Sequence, residues 1–338
     1  MRTLSTRVLV VCAVALPSAM ALTDDAAEPT GAAWELRALG VAHDWQEQAL
    51  REAVRRPVTL AIVGQGGVSK SKLQPLLEAG NTLEYRNGAE DPGSSTHDTG
   101  MAQVILEITS RLGVQVRLLV YHPGDPFQAV AESLTLAAGE ADIVAFYQSF
   151  WGSDVEYINE ALRNAQDCLL ISPYVEYESR PTSSCPQALS AKPWGEGLPN
   201  FITVVPCPFK APGSLLTPSA REGDTEIVNF IAPSYYASGP GGTCPSAAVA
   251  AAVAGYTIAA ADPKPRPGDV VQPMRETVTS DGGTLRALLG LTEEQVTAFT
   301  SQVAALANPE AQPMRKLDAP GLLNLWAIHE RLTAPGPD

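Results

Sequence analysis

The sequence predicts an α/β fold, with a doubly wound, mostly parallel sheet flanked by helices on both faces. Strand and helix signals alternate over most of the 338 residues, the pattern that parallel strands joined by crossover helices produce. The run Val58–Val63 is continuously apolar or β-branched and ends at Gly64, as expected of a strand buried on both faces. Proline and glycine gather in 179–199, 206–223 and 232–242, which predicts surface loops there.

Apolar runs and helical periodicity locate the individual elements. The predicted strands are Val58–Val63, Val114–Tyr121, Asp142–Tyr147, Leu169–Ser172, Phe201–Val205 and Thr225–Ile231. The predicted helices are Trp34–Arg55, Met101–Leu112, Pro126–Ala138, Val155–Ala165 and a run that begins at Cys244. After Ala261 no further strand is expected, and three peripheral helices should pack on the same core: Val270–Thr279, Thr292–Ala307 and Ala319–Leu332.

The first residues have the features of a cleavable export signal. Arg2 and Arg7 form a positive segment before the apolar run Val8–Leu16, and Ala19-Met20-Ala21 fits an A-x-A cleavage site. We therefore expect a secreted or periplasmic protein. Its expected parts are a signal peptide (1–21), an N-terminal lead-in segment with a helix (22–56), one α/β domain (57–332) and a disordered tail (333–338).

Composition limits the partners. A formal net charge of -14 disfavours nucleic acid, because an acidic chain repels the phosphates that supply most of the affinity. Hydrophobic residues make up 45% of the chain, which indicates a globular protein. No segment reaches the roughly 18 uninterrupted apolar residues of a membrane span. We expect a monomer with no nucleic-acid partner and no membrane span.

Four cysteines remain after the expected cleavage: Cys168, Cys185, Cys207 and Cys244. Export permits disulfides, and four thiols allow three complete pairings. A single Cys185–Cys207 bridge that leaves Cys168 and Cys244 reduced is equally compatible. No Cys/His cluster has zinc-ligand spacing, so neither a metal nor another cofactor is expected.

A glycine-rich turn opens onto a helix of small residues at Gly241-Gly242-Thr243-Cys244-Pro245-Ser246. This stretch resembles the nucleophile motif of subtilisin-like serine proteases, in which Gly-Thr-Ser precedes an Ala/Val-rich helix. Cys244 stands at the position of the serine. Ser246 is an alternative hydroxyl, although a serine inside a helix more often bonds its own backbone.

Other blocks are similar to the same family and follow in the same order. Thr96-His97-Asp98-Thr99 is similar to the family's His-Gly-Thr block, which places His97 at the position of the catalytic base. The strand that ends at Gly64 is similar to the family's strand ending in Asp-Ser/Thr-Gly, with Gly64 at the aspartate's position. Further similarity lies in Ala141–Val144, Ile158–Leu162, Pro199–Val204 and Lys316–Gly321, so that the resemblance covers roughly residues 57–328.

The resemblance implies damaged catalytic machinery. A serine protease needs a carboxylate that orients the histidine, and Gly64 supplies none. Asp98 follows His97 directly and is more simply explained as a cap of the helix than as that carboxylate. The family's oxyanion-hole asparagine is absent after Leu169–Ser172, where Tyr174 is a weak replacement. Together with Tyr174, the expected binding residues are Ser149, Trp151 and Gly152.

Cys244 has a catalytic and a structural interpretation. The positive end of a helix and a nearby His97 would favour a reactive thiolate. Alternatively, Cys244 is a small buried residue before Pro245, or half of a disulfide. The expected function is a secreted protein whose proteolysis is lost or strongly impaired and which binds a peptide or protein through the former substrate cleft. The alternatives are a Cys244/His97-dependent hydrolase and a residual serine-type endopeptidase.

Overall fold

A seven-stranded sheet forms the centre of the chain, and every pairing between its neighbouring strands is parallel. The computed structural model describes the following residues: 32–64, 66–122, 127–146, 155–173, 198–207, 209–210, 214–215, 226–228, 230–233, 243–307, 315–317 and 321–334.

The strands of this sheet are β1 (Val58–Val63), β2 (Thr82–Arg86), β3 (Val116–Tyr121), β4 (Ile143–Phe146), β5 (Leu169–Pro173), β6 (Phe201–Cys207) and β10 (Phe230–Pro233). Two small sheets accompany it: β7 (Phe209–Lys210) pairs with β8 (Ser214–Leu215), and β9 (Glu226–Val228) pairs with β11 (Arg315–Leu317). The helices are α1 (Ala32–Ala38), α2 (Asp44–Ala53), α3 (Gln74–Glu78), α4 (His97–Arg111), α5 (Phe127–Glu140), α6 (Val155–Asn164), α7 (Thr243–Ala260), α8 (Pro267–Glu276), α9 (Gly282–Leu289), α10 (Glu293–Ala307) and α11 (Leu325–Thr333).

The strand order β10-β6-β5-β4-β1-β3-β2 places β1 where the winding of the sheet reverses. Leu60 of β1 lies opposite Leu118 of β3 on one side and opposite Ile143 of β4 on the other. In open parallel sheets, the crevice at the carboxyl ends of the strands beside such a reversal is the usual ligand site. The end of β1, just before Gly64, is therefore the place where the topology favours a functional site.

Each central strand supplies two separate hydrophobic cores, which explains its continuous apolar sequence. Leu60 and Ile62 point into the core that α1, α4 and α7 cover. Ala61 and Val63 point into the opposite core, under α5 and α6. Helices therefore lie on both faces of a parallel sheet, which confirms the predicted fold class.

Helix α7 lies at the centre of the first core. Its residues from Pro245 onward are buried, and most of them are alanine or valine. The helix packs against α4 on one side and against β5 and β6 on the other. Small side chains suit this position because they allow a helix to approach both layers closely. The contact between α4 and α7 later determines which side chains meet in the crevice.

The N-terminal helix predicted over Trp34–Arg55 is two helices, α1 and α2. The chain turns between them at Gly40, whose φ of +89° lies in the left-handed region that favours glycine. Periodicity spans both helices because both bury apolar residues against the same core, so it does not reveal the break.

Several other elements differ from the sequence prediction. The elements α3, β7 and β8 were not expected, and the strand expected over Thr225–Ile231 is two strands, β9 and β10, in different sheets. Strand β2 lies at one edge of the sheet and has no fully buried residue, so it lacks the apolar run that marks the central strands. Helix α9 was not predicted. The expectation that strands stop after Ala261 is wrong, because β11 pairs with β9. The peripheral helices α8 and α11 do pack on the first core.

Residues 1–31 and 335–338 lie outside the described part of the chain, so the signal peptide and the rest of the tail stay predictions. Thr333, predicted as the first tail residue, is the last residue of α11. Among the described helices, none has the length and apolarity needed to cross a membrane.

One ionisable side chain is buried at the contact between α1 and the rest of the first core. Glu35 is only 2% exposed, and its Oε2 accepts no hydrogen bond within the described residues. Burial, together with the negative charge of Glu107, raises the pKa of Glu35 to about 8. The folded protein therefore keeps a proton on Glu35 at neutral pH.

Glu35→Gln should change how stability depends on pH. As pH rises from 4.5 to about 8, the unfolded chain releases the Glu35 proton while the folded protein retains it, so the free energy of unfolding falls. The glutamine removes this fall and should stabilise the protein at pH 8 by a few kcal/mol, since each pKa unit corresponds to about 1.4 kcal/mol. Urea unfolding at pH 4.5 and at pH 8 measures the free energy of unfolding of each variant. The exposed Glu132→Gln is the control, and an identical pH slope in both variants would contradict the assignment.

Candidate active site

Three segments meet at the carboxyl edge of the sheet: the end of β1, the start of α4 and the start of α7. His97 is the first residue of α4, and Cys244 is the second residue of α7. Helices α4 and α7 pack against each other, and a hydrogen bond between His97 and Cys244 joins their first turns. The two residues that sequence analysis placed at catalytic positions are thereby brought together next to Gly64.

The start of α4 is anchored to the segment that follows β1. Thr96 is the N-cap: its Oγ1 accepts a hydrogen bond from the backbone N–H of Thr99 at 3.0 Å. The same hydroxyl donates to the carbonyl oxygen of Gly67 at 2.6 Å. Ser69 N–H donates to the Thr99 hydroxyl at 2.9 Å. The prediction that Asp98 caps this helix is wrong, because Thr96 does so and leaves the Asp98 side chain available for other contacts.

Asp98 is a buried carboxylate that joins the β1 segment to His97. The residue is 1% exposed. Its Oδ2 accepts hydrogen bonds from the backbone N–H groups of Gly66 at 2.8 Å and Gly67 at 3.1 Å. Its Oδ1 lies 3.2 Å from Nδ1 of His97. Backbone donors of this kind satisfy a buried charge that would otherwise be costly.

The space beside Gly64 is filled by this same carboxylate. A Cβ atom placed on Gly64 would lie 2.5 Å from Oδ1 of Asp98 and nearer still to Oδ2. No side chain fits at position 64 while Asp98 keeps its place. The expectation that no carboxylate supports the histidine is therefore wrong: the side chain is missing at Gly64, but Asp98 supplies the carboxylate at that location.

The electrostatics of the site keep the His97 ring protonated. The pKa of His97 is raised to about 10. The largest cause is the hydrogen bond with Asp98, and the second is the hydrogen bond with Cys244; partial burial lowers the pKa but does not cancel them. Electrostatic interactions of the ring with Cys244 and with Asp98 also raise the pKa of His97. The side chain is 51% exposed, so a substrate can reach the ring. At neutral pH the group is an imidazolium, which donates protons and does not accept them.

Cys244 is a free, partly buried thiol, so its interpretation as half of a disulfide is wrong. Cys168 is also free, but it is fully buried, and burial raises its pKa to about 12. Because both thiols are free, all three complete pairings of the four cysteines are excluded. Cys185 and the side chain of Cys207 lie outside the described part, so their bridge stays a prediction.

Ser246, the alternative hydroxyl, lies within α7 and is 0% exposed, so a substrate cannot reach it. The expected binding residues Ser149, Trp151, Gly152 and Tyr174 lie outside the described residues, and their role stays a prediction.

The histidines outside the matched blocks occupy different settings. His122 follows β3, and its Nδ1 lies 3.3 Å from the carbonyl oxygen of Gly64, so it borders the crevice. The sequence did not point to His122 because no family-like motif lies at the end of β3. Its position directly after a central parallel strand could have indicated that it borders the crevice. His329 is buried and shares a 2.7 Å hydrogen bond with the hydroxyl of Tyr256. Across the described part of the chain, no group of three His, Cys, Asp or Glu side chains could hold a metal ion.

No known family model and no curated protein matches this chain. Among solved structures, the A-subunit of the AB5 toxin from E. coli matches with a TM-score of 0.57 and 14% identity, covering 88% of this chain and 99% of that one. A lanthipeptide protease matches with a TM-score of 0.56 and 12% identity, covering 89% and 95%. MycP1 from Mycobacterium smegmatis matches with a TM-score of 0.54 and 15% identity, covering 92% of this chain and 88% of that one.

These neighbours include subtilisin-like and related serine proteases, so the chain has a subtilisin-like α/β fold. At such low sequence identity, the similarity establishes the fold and leaves the activity open.

Gly64→Ala tests whether the Asp98 carboxylate occupies the space beside β1. The added methyl group would overlap that carboxylate, so we expect a loss of about 1–3 kcal/mol in the free energy of unfolding, as in other overpacked sites. Combining Gly64→Ala with Asp98→Ala should relieve the overlap and give a destabilisation smaller than the sum of the two single changes. Gly139→Ala in α5 is the control, since its Cβ meets nothing within 4 Å. Additive effects in the double variant would rule out the overlap.

Proposed function

We propose that this protein is a peptide hydrolase of subtilisin-like fold whose nucleophile is the Cys244 thiolate and whose proton donor is His97. The observation that carries the proposal is the hydrogen bond between His97 and Cys244, in a site that raises the pKa of His97 to about 10. This departs from the expectation of lost proteolysis, which rested on the missing carboxylate at Gly64, on Cys244 in place of serine and on the absent oxyanion asparagine.

A protonated histidine suits a thiol nucleophile and not a hydroxyl. A serine must transfer its proton to a neutral imidazole as it attacks, and His97 is already protonated at neutral pH. A thiolate has given up its proton before the reaction begins and is a strong nucleophile. The start of α7 adds the positive end of an 18-residue helix, which favours the anion at Cys244. A cysteine in place of the family's serine therefore agrees with the charge state of the histidine.

The proposed reaction has two steps. The Cys244 thiolate attacks the peptide carbonyl carbon, and as the C–N bond breaks, His97 gives its proton to the leaving amine, so that a thioester and a free amine form. Water then attacks the thioester carbonyl. His97, now neutral, takes the proton of that water, and the carboxylic acid departs as the thiolate is restored.

The exposed His97 ring at the crevice supports access by an extended peptide segment. A peptide or protein is accordingly the proposed ligand, bound by a single copy of the chain.

A second candidate is peptide binding without turnover. The sequence favours it at one point: Pro173-Tyr174-Val175-Glu176-Tyr177, at and after the end of β5, contains no asparagine to stabilise an oxyanion. Loss of one such donor costs about 10²–10³ in rate in a serine protease. The thiol experiments below separate slow turnover from none.

Cys244 variants test the proposal. With a fluorescent peptide library or casein as substrate, Cys244→Ala should abolish cleavage. Cys244→Ser should lower kcat by about 10²-fold or more, because the His97 imidazolium cannot take the serine's proton. Cys168→Ala is the matched control, since Cys168 lies fully buried away from the crevice, and it should cleave at the wild-type rate. Cleavage that survives Cys244→Ala would refute the thiol mechanism.

Alkylation distinguishes an unreactive site from a reactive site that lacks the right substrate. Iodoacetamide at about pH 6 should label Cys244 in the folded protein, as judged by peptide mass mapping, and His97→Gln should slow that labelling. Cys168 should stay unlabelled, because burial raises its pKa to about 12. Labelling of Cys244 without any cleavage would favour peptide binding without turnover. A Cys244 that is not labelled would exclude a reactive thiolate and with it the thiol hydrolase.

Export is part of the proposal and rests on the features of residues 1–21. Arg2, Arg7 and the Ala19-Met20-Ala21 sequence support cleavage before Leu22. The mass of the mature chain recovered from outside the cytoplasm should correspond to a start near Leu22, and a chain that retains Met1 would contradict it.

A further inference from the structure

Two residue types are exchanged relative to the pattern that this chain resembles. The subtilisin-like pattern has aspartate at the end of the first strand and glycine directly after the histidine. Here Gly64 stands at the first position and Asp98 at the second. The exchange leaves a carboxylate in nearly the same place, because the Asp98 carboxylate occupies the volume beside Gly64 that a side chain at position 64 would need.

We propose that Asp98 is the positioning residue of the His97–Cys244 site, delivered from the helix side instead of the strand side. The inference rests on the proposed function, because it assigns a role within that reaction. Asp98 touches neither substrate nor nucleophile; it acts through His97, whose ring it orients and whose positive charge it stabilises.

The contacts of Asp98 match this role. Oδ1 lies 3.2 Å from Nδ1 of His97 and favours a proton on that nitrogen. Cys244 is the second hydrogen-bond partner of the same ring. Oδ2 is held by the N–H groups of Gly66 and Gly67, so the carboxylate cannot follow the ring if the ring swings toward solvent. Since half of the His97 side chain is exposed, a fixed partner of this kind is what keeps the ring in one orientation.

The segment after β1 is shaped around the carboxylate. Gly67 has a φ of +66°, a left-handed conformation that favours glycine and that presents its N–H to Asp98. A Cβ on Gly66 would lie 2.9 Å from Cβ of Thr96, so glycine is also required there for the close approach of α4. The glycines at 64, 66 and 67 thus share one purpose: they let the start of α4 and its carboxylate sit against the end of β1.

A purely structural role for Asp98 gives a different expectation. A clamp between α4 and the β1 segment needs only an acceptor for the two backbone N–H groups, and an asparagine oxygen provides one. A positioning residue needs the negative charge next to Nδ1 of His97. Asp98→Asn therefore separates the two roles, since it keeps the shape and most acceptor capacity and removes the charge.

The first experiment measures the His97 ring directly in the full chain. The four histidines are labelled and titrated by NMR, and His97 is assigned from the spectrum of His97→Gln. In Asp98→Asn the pKa of His97 should fall from about 10 toward its ordinary value of 6.5, because its largest stabilising partner is gone. Peptide cleavage should fall by about 10²- to 10⁴-fold in kcat, with a smaller effect on KM.

The control is a neighbouring carboxylate that does not contact the ring. Asp91 accepts hydrogen bonds from the backbone N–H groups of Lys70 and Gly93. Asp91→Asn should leave both the His97 titration and cleavage unchanged. An unchanged His97 pKa in Asp98→Asn would overturn the inference, whatever happens to activity.

The second experiment reverses the exchange. Asp98→Gly alone should lower the His97 pKa and cleavage, and the double variant Gly64→Asp/Asp98→Gly should restore the raised His97 pKa from the strand side. Restoration supports a transferable positioning carboxylate, and a double variant that folds but titrates like Asp98→Gly counts against it.

The NMR titration keeps the two proposals apart. Wild-type protein that cleaves no peptide, together with a His97 pKa that depends on Asp98, would refute the proposed function and leave the positioning role intact. If cleavage depends on Cys244 but Asp98→Asn changes neither cleavage nor the His97 pKa, the proposed function stands and the positioning role of Asp98 is refuted.

Discussion

The site depends on one buried charge, the carboxylate of Asp98, and on the three groups that satisfy it. Two backbone N–H groups from Gly66 and Gly67 and the ring of His97 surround it at hydrogen-bond distance. A carboxylate buried without such partners would cost several kcal/mol or become neutral by taking up a proton. The partners come from two segments far apart in sequence, so the charge ties the end of β1 to the start of α4.

The larger architecture explains why those segments meet. β1 lies where the winding reverses, and the chain leaves it at the carboxyl edge of the sheet. Helix α4 begins at that edge, and the buried, alanine-rich α7 brings the residue at its own start to the same place by packing on α4. Two helix N-termini that face one crevice favour negative charge there. An anionic thiol suits such a place.

The departures from the subtilisin-like pattern are consistent with one another. A carboxylate next to the ring and a thiol on its other side both favour the imidazolium, and an imidazolium is useless to a serine but useful to a thiolate. Taken one at a time, glycine for aspartate and cysteine for serine indicate decay. Taken with Asp98 in its observed place, they agree with the proposed thiol chemistry, because His97 keeps a supporting carboxylate and an exposed face.

The sequence by itself determined the central strands of the sheet. Burial on both faces demands continuous apolar strands, and that pattern located β1 to its exact ends and most central strands to within a few residues. The family resemblance, and not this pattern, singled out His97 and Cys244; periodicity began the first of their helices only at Met101. The edge strand β2 and the break at Gly40 left no such pattern, because one is half exposed and the other separates two helices with a common core. Only the tertiary structure decided the role of Asp98. Locally, both Thr96 and Asp98 are good capping residues, and the choice between them depends on Gly66 and Gly67, some thirty residues away, whose N–H groups attract the carboxylate while Thr96 caps the helix.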